Sequence, residues 1–418
     1  MTKNNILNYQ NISETLIIIL PISLLFSNLI SEIIVFGLIL ISLLVSDMTF
    51  IRQKLNDLIF FLLILIFAYL VFNYFINIEK NPSFSRSFFF IRFIFYVFSF
   101  YLIFERISIN FKKIFSGWAI ILILISFDLF FQYKFGKNLL GYSSVYQGDF
   151  YRLGSFLNDE LKIANLVIYF FVPVFTYFHA KINYNNKKKL FGLLFFLFII
   201  YFSIFLTGER SNFISFNIFI FFYALFTNLK KYFFVSFAII ITLIFFYSKT
   251  YEPGLNKRMS INIYQTYKKN IFENNDNGFF YKNNQYFAHY SAATQINRDY
   301  PFFGVGLKNF RIFCRNDKYD KKIHPDFLTQ KCSTHPHSFF FEILSELGIL
   351  GLIIFVTIFF LILFKFIRQS LKKKKLFLIW KFTFIISLFF SISTKREFFY
   401  KLERYYFLDS FWTRYSFI

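Results

Sequence analysis

Two histidines flank a proline at the start of a long apolar segment, in the stretch THPHSFFFEILSELGILG at residues 334–351. Pro336 suits the first turn of a helix, and Ser333 or Thr334 is close enough to cap that helix. His337 would then lie in the first turn, where unpaired backbone N–H groups favour an anion and disfavour a protonated imidazole. A neutral histidine can accept a proton, so we predict that His337 is a general base.

Three further polar side chains follow inside the same apolar segment. Glu342 and Glu346 are one helical turn apart on one face, and Ser338 is roughly aligned with them. They could line a cavity or orient His337. Alternatively, the two carboxylates pair with an arginine on another helix.

Three arginines are candidates for binding a phosphate-containing substrate. Arg210, in LTGERSNFISF, lies between two apolar runs with almost no loop, and an arginine so close to the bilayer usually faces a partner or a water-filled cavity. Arg152 lies in DFYRLGSFLNDELK just before an apolar run, and Arg311 ends YPFFGVGLKNFR. The planar fork of a guanidinium binds two phosphate oxygens at once. The alternative for Arg210 is an ion pair with Glu209 at the headgroups.

Neither a metal nor a cofactor is expected. Gly304 and Gly306 permit a tight turn near the membrane, but the strand and third glycine of a dinucleotide-binding motif are missing. The chain has five histidines, and they show no HExxH spacing. A DxD motif, which would indicate a metal-bound nucleotide sugar, does not occur either.

The positive charge of the chain indicates anionic partners rather than nucleic acid. The formal net charge is +23, from 46 Lys and Arg against 23 Asp and Glu. Most basic clusters fall in short loops, where membrane orientation and anionic lipid headgroups explain them. Residues 249–337 form a longer loop with fourteen Lys and Arg against seven Asp and Glu, which favours an anionic substrate. No DNA- or RNA-binding pattern accompanies the charge.

The elements that must position these residues are membrane spans. The chain has 418 residues, of which 56% are hydrophobic, and a mean hydropathy of +0.51, as is typical of a polytopic membrane protein. We predict an all-α fold of about eleven or twelve transmembrane helices, with short helices in a long outward loop. Eleven apolar runs lie near residues 15–29, 31–47, 57–76, 87–105, 115–132, 161–179, 190–207, 211–228, 232–248, 338–366 and 377–392.

The basic residues of alternate loops predict the orientation of these spans. They fall on one side, from Arg52 to the run at 372–375, and this side is cytoplasmic by the positive-inside rule. The long segments 133–160 and 249–337 then face outward, into a periplasm or its equivalent. The chain divides into N-terminal helices (1–248), a large outward loop (249–337), C-terminal helices with the histidine motif (338–392) and an amphipathic or degenerate last span (393–418).

The chain has two cysteines, Cys314 and Cys332, and both fall in the longer outward loop. An outward loop of a bacterial inner-membrane protein is in an oxidising compartment, so we predict a disulfide between them. A bridge over a loop of this length contributes about 3 kcal/mol in the chain-entropy model. It would tie the basic segment RNDKYDKK to the start of the histidine motif.

The segment that begins at His337 resembles the signature of the O-antigen ligase family. That signature is His, then Asn, Ser or Gln, nine residues, Gly, two residues, and Gly, Thr or Tyr. Ser338, Gly348 and Gly351 occupy the matching positions, with Ser338 in place of the commoner Asn.

Three other stretches of the chain resemble this family, in the family's order. YPFFGVGLKNF is similar to its Pro–Gly-Val-Gly stretch, and LTGERSN and YRLGSFLND are similar to its two arginine segments. The resemblance covers roughly residues 145–355.

The resemblance implies about twelve helices in the bacterial inner membrane, with the active site on the periplasmic side. It implies transfer of a glycan from undecaprenyl diphosphate to a sugar hydroxyl of lipid A–core, without metal or nucleotide. His337 would be the base, and Arg210 and Arg152 would be diphosphate ligands. Direct displacement would invert the anomeric carbon.

Other functions remain open. An O-antigen polymerase would use a second lipid-linked glycan as acceptor, and a protein O-oligosaccharyltransferase would use a protein. A lipid-linked glycan transporter predicts charged residues throughout many spans and an inverted repeat. The polar residues concentrate at one membrane face instead, which favours a transferase.

Overall fold

Helices make up most of the described chain. The computed structural model describes residues 3–55, 57–77, 79, 81–146, 150–158, 161–182, 186–226, 230–251, 253–261, 285–320, 323 and 325–373. The helices are α1 (Lys3–Phe26), α2 (Asn28–Val45), α3 (Met48–Leu55), α4 (Leu58–Ile76), α5 (Asn81–Phe88), α6 (Ile91–Arg106), α7 (Phe111–Phe135), α8 (Ile163–Lys181), α9 (Lys187–Leu206), α10 (Arg210–Phe226), α11 (Lys230–Tyr251), α12 (Pro253–Asn256), α13 (Gln285–Asp299), α14 (Phe310–Phe313) and α15 (Phe339–Lys373). One antiparallel hairpin joins β1 (Val145–Tyr146) to β2 (Tyr151–Arg152).

The apolar helices confirm the predicted all-α polytopic membrane fold. Eight spans within the described residues are long and apolar enough to cross a membrane, and a bent pair formed by α3 and α4 makes a ninth. These nine match nine of the eleven predicted spans. The run near 211–228 corresponds to α10, which has 17 residues. The run near 377–392 and the segment 393–418 lie outside the described residues.

The described residues of 1–41 and 107–267 form one compact unit. Its core contains α7 and α8, where the rings of Trp118 and Phe170 meet edge to face with centroids 4.9 Å apart. Trp118 also donates its indole N–H to the carbonyl of Ile17 in α1, at 2.9 Å. Large aromatic side chains therefore supply both the apolar contact and the directional bond that align these helices.

A buried polar network in the same unit holds the loop that follows α7. Asp128 accepts hydrogen bonds from the Ser155 hydroxyl at 2.5 Å and from the Leu139 amide at 2.8 Å. Gln132, one turn further along α7, accepts from the Ser155 amide at 2.9 Å. Asp128 and Ser155 are fully buried. Because buried polar groups must be satisfied, this network determines where the hairpin with Arg152 can lie.

The described residues of 42–106 and 268–365 form the second unit. A cluster of buried side chains packs α13 against the segment around α14, and it includes Ala292, Phe310 and Cys314. Cys314 forms a disulfide with Cys332, with the two Cα atoms 5.4 Å apart. The predicted disulfide is therefore present, and it joins α14 to the chain just before the histidine motif.

Helix α15 is broken at Gly348, which has φ 67° and ψ −171°. Residues 301–306, here called the wedge loop, fill the break. The amides of Val305 and Gly306 donate to the carbonyls of Ser345 and Glu346, at 3.0 and 2.8 Å. On the other side of the break, the amide of Ile349 donates to the Pro301 carbonyl at 2.9 Å. The wedge loop thus satisfies backbone groups that the break would leave without partners.

Two glycines make this close approach possible. A Cβ on Gly348 would lie 2.3 Å from the Phe302 carbonyl oxygen, and a Cβ on Gly304 would lie 2.4 Å from the Glu346 carbonyl carbon. Gly304 also has a left-handed φ of 67°. Any side chain at either position would push the wedge loop out of the break.

We expect Gly304→Ala to lower the free energy of unfolding by about 2–4 kcal/mol, because it adds left-handed strain and a backbone clash. Thermal unfolding of the detergent-solubilised protein measures this loss. Gly192→Ala is the matched control, since Gly192 lies in α9 with nothing within 4 Å of an added Cβ. An equal loss of stability in both variants would show that displacement of the wedge loop does not cause the loss.

Replacing both Cys314 and Cys332 by alanine should lower the free energy of unfolding by about 3 kcal/mol. Unfolding midpoints with and without a reductant test this, because the reductant should destabilise only the wild-type protein. Free thiols at both positions in protein from intact cells, measured by mass spectrometry, would contradict the disulfide.

Candidate active site

Residues 331–338, here called the histidine loop, form an irregular connection with several bends before α15 rather than the first turn of a helix. The prediction that Pro336 and His337 begin the helix is wrong, because α15 begins at Phe339 and His337 has a left-handed φ of 56°. The Ser338 carbonyl accepts the Glu342 amide at 2.9 Å, which makes Ser338 the residue that starts the helical hydrogen bonds. His337 therefore lies just outside the helix.

The predicted caps also have a different role. The hydroxyl of Ser333 donates to the His335 carbonyl, and the hydroxyl of Thr334 is 2.9 Å from Nδ1 of His335. These side chains fold the histidine loop on itself instead of capping α15. Such local bonds from Ser and Thr to nearby residues favour turns over helix.

Three histidine rings meet at this loop. The His337 centroid lies 4.4 Å from that of His335 and 5.0 Å from that of His289. His289 comes from α13, and Tyr286, one turn earlier on that helix, places its ring centroid 5.8 Å from His337. The site thus combines two elements that are far apart in sequence.

His289 is fully buried, and its Nδ1 lies 3.0 Å from the Lys331 carbonyl oxygen. Since a carbonyl only accepts, Nδ1 carries the proton. Burial lowers the pKa of the His289 imidazole, although the bond to the Lys331 carbonyl acts in the opposite direction. The ring is therefore neutral near pH 7.

The first part of α15 also bonds to Lys308, two residues after the wedge loop. The Lys308 ammonium lies 2.5 Å from a Glu342 carboxylate oxygen, and its backbone amide donates to Glu346 at 2.7 Å. Glu346 is fully buried and also accepts the Phe310 amide at 3.3 Å. The alternative predicted that these carboxylates pair with an arginine on another helix, but the partner of Glu342 is Lys308, a lysine in a turn.

Burial alone would lower the pKa of the Lys308 ammonium, but the carboxylates of Glu342 and Glu346 reverse this and leave the pKa above its usual value. The guanidinium of Arg311 lies close enough to oppose them. Arg311 itself makes no ion pair with any described residue, and its Nε is buried without a hydrogen-bond partner there. It is available to an anion.

The other two predicted arginines lie together in the first unit. Arg152, on β2, donates Nη2 to the Leu161 carbonyl at 3.4 Å. Burial lowers the pKa of its guanidinium, the charge of Glu209 raises it, and the charge of Arg210 lowers it again, so all three groups are neighbours.

Arg210 is the first residue of α10, and it makes no ion pair with Glu209 within the described chain. The carboxylate of Glu209 instead accepts the Ala164 amide at the start of α8, at 3.1 Å, and the Asn212 side chain at 2.5 Å. The alternative of an Arg210–Glu209 pair is therefore wrong. Glu209 therefore helps to cap the start of α8.

A third arginine in this region, Arg258, was not predicted from the sequence. Its Nε donates to the Gly208 carbonyl at 2.9 Å, and its guanidinium lies 4.6 Å from the centroid of the Phe150 ring. Gly208 has a left-handed φ of 68°, which turns its carbonyl toward Arg258. The sequence signal was a basic residue soon after a span on the outward side, where the charge bias does not require one.

The sequence model of the O-antigen ligase family matches residues 194–356. The match confirms the resemblance for these residues, which are here called the ligase domain. No curated protein matches the chain. The match supports an enzyme function of the O-antigen ligase or polymerase type in broad terms.

The ligase domain includes the histidine loop, the wedge loop and α10. The motif glycines Gly304, Gly306, Gly348 and Gly351 meet at the break in α15, and a Cβ on Gly351 would lie 3.2 Å from the Tyr69 ring. Arg152 precedes the matched residues. The role of His289 was also missed, because a lone histidine on a helix that carries many small residues has no recognisable spacing to the histidine loop.

We expect the ligase domain to lose stability as the pH falls below about 6.5, the pKa of an unfolded histidine. Because the pKa of folded His289 is lower, only the unfolded chain gains this proton in the window between the two values. Melting temperatures across that range measure the effect. His289→Asn keeps an N–H for the Lys331 carbonyl and does not titrate, so its melting temperature should fall less. Equal falls would contradict the role of His289.

Proposed function

We propose that the protein is an O-antigen ligase that transfers a glycan from undecaprenyl diphosphate to a sugar hydroxyl of lipid A–core. His337 removes the proton of the attacking hydroxyl, and the hydroxyl oxygen displaces the lipid diphosphate from the anomeric carbon. This single displacement inverts the configuration of that carbon. Neither a metal ion nor a nucleotide takes part.

The leaving group requires compensation of its negative charge, which arginines supply in this proposal. Arg152 and Arg210 provide two guanidinium groups close enough for their charges to interact, and Arg258 lies in the same unit. Arg311 provides another on α14. Positive groups that are already in position when the charge develops lower the barrier without a cost of reorganisation.

The observation that carries the proposal is the family match over residues 194–356, which contains the complete histidine signature. The geometry supports it, because the half-buried His337 lies just before the apolar helix α15, beside a buried neutral histidine. The bias of basic residues toward one set of loops supports a site that faces the periplasm of a bacterial inner membrane.

A polymerase or a protein O-oligosaccharyltransferase shares this chemistry and differs only in the acceptor. A transporter of lipid-linked glycans would not need a general base, so loss of the His337 imidazole separates it from a transferase.

We expect His337→Ala and Arg210→Ala to abolish the lipopolysaccharide ladder in a ligase-null strain that the wild-type protein complements. Loss of a general base costs on the order of 10²–10⁴ in rate, and loss of one charge-stabilising donor costs on the order of 10²–10³. Gels of extracted lipopolysaccharide provide the readout. Arg298→Ala, an exposed arginine on α13, is the control and should retain the ladder.

Full complementation by His337→Ala would exclude His337 as the base. If a strain that lacks this protein accumulates lipopolysaccharide with a single repeat unit, polymerase activity replaces ligase activity as the function.

A further inference from the structure

His289 has a hydrogen-bonding group that the proposed reaction does not yet use. Its Nδ1–H donates to the Lys331 carbonyl, so Nε2 carries a lone pair and no proton. Nε2 is buried and has no hydrogen-bond partner among the described residues. The side chain as a whole has 0% exposure. A buried acceptor without a donor is unfavourable, which indicates that a donor occupies this position at some stage of the reaction.

The rings of His337 and Tyr286 both lie near His289, and His337 is the closer of the two. The centroids of His289 and His337 are 5.0 Å apart with the ring planes tilted by 42°, whereas the Tyr286 ring is 6.5 Å from His289. Two imidazoles at this separation need only a side-chain rotation to form an N–H···N hydrogen bond. Catalytic hydrogen bonds are often long in the free enzyme and shorten when substrate binds.

The surroundings keep His289 in this tautomer. The Lys331 carbonyl that accepts its proton belongs to a residue whose ammonium pairs with Asp320 and donates to the Asn316 carbonyl at 3.2 Å. The next residue is Cys332, which the disulfide ties to Cys314. The backbone at Lys331 is therefore held from both its side chain and its neighbour.

We propose that His289 is the positioning residue of His337: its Nε2 accepts the N–H of the His337 ring and directs the opposite ring nitrogen toward the acceptor hydroxyl. This rests on the proposed function of His337 as the base. When His337 takes the hydroxyl proton, both of its nitrogens are protonated and the ring becomes an imidazolium. His289 stays neutral and stabilises that charge through the N–H it accepts, and the sugar oxygen keeps the electron pair for the new glycosidic bond.

The other titratable groups around the pair come from both elements. Tyr286 lies on α13 beside His289, and His335 lies in the histidine loop with its ring 4.4 Å from His337. Neither bonds to Nε2 of His289. In this arrangement the neutral imidazole of His289 takes the place that an aspartate has in a Ser-His-Asp triad.

Two isosteric variants distinguish the roles of the two ring nitrogens of His289. His289→Asn places an amide N–H where Nδ1 was, so it keeps the bond to the Lys331 carbonyl and loses the acceptor at Nε2. His289→Gln places an amide oxygen near the Nε2 position, so it keeps an acceptor and loses the Nδ1 donor. Rates of glycan transfer are measured with full-length protein in nanodiscs, with undecaprenyl-diphosphate-linked glycan and lipid A–core as substrates.

The proposal predicts that His289→Asn lowers kcat by about 10²-fold with little change in KM, since misdirection of the base acts on the chemical step. His289→Gln should retain most of the activity. Loss of the accepted N–H should also lower the pKa of His337, so the acidic limb of the kcat/KM profile of His289→Asn should move to lower pH. Melting temperatures and disulfide content of both variants report on folding.

The reverse order, in which the Gln variant is inactive and the Asn variant is active, would show that His289 acts through the Lys331 carbonyl alone and would overturn the proposal. A loss of activity in His289→Asn without a shift of the acidic limb would overturn it as well. If the wild-type protein transfers no glycan and His337→Ala changes nothing, the proposed function fails. An active wild type, an inactive His337→Ala variant and a fully active His289→Asn variant would reject only the role of His289.

Discussion

The backbone hydrogen bonds between the wedge loop and the broken helix α15 are the interaction on which the rest of the ligase domain depends. A helix that breaks inside an apolar segment exposes carbonyls on one side and amides on the other, and no lipid can satisfy them. The wedge loop supplies partners for both sides. The Leu347 carbonyl takes a further hydrogen bond from the Tyr69 hydroxyl at 2.5 Å, and the Asn73 side chain holds the Phe303 carbonyl at 2.6 Å. Helix α4 thus secures the wedge loop from outside.

This arrangement also fixes the position of the helix that follows the histidine loop. The first part of α15 is short, and it is held by the wedge loop at one end and by Lys308 along its length. Helix α13 packs beside it, where Tyr290 and Phe341 stack with centroids 4.6 Å apart and Asn297 donates to the Leu344 carbonyl at 2.9 Å. His289 and His337 are carried by these two neighbouring elements, so their rings meet at a position that neither element could hold alone.

Much of this could be predicted from residue patterns, because the membrane imposes strong rules on sequence. Eleven spans were predicted from apolar runs, since a bilayer requires about twenty apolar residues for each crossing. Nine of them match spans among the described residues. The pairing of Cys314 with Cys332 followed from their presence in one outward loop. The glycines at 304, 306, 348 and 351 were recognised as a family signature, but their physical reason, which is the close approach of two backbones, was not visible in the sequence.

The sequence by itself determined the class of fold, the disulfide and the identity of the candidate base, because hydropathy, cysteine count and a short spaced motif are local properties. Only the tertiary structure decided that His337 lies outside the helix with a left-handed backbone, that Glu209 caps α8 rather than pairing with Arg210, and that His289 and Arg258 join the candidate sites. Each of these depends on contacts between residues that are distant along the chain. Such contacts have no fixed spacing along the chain, so they cannot be recognised from a sequence pattern.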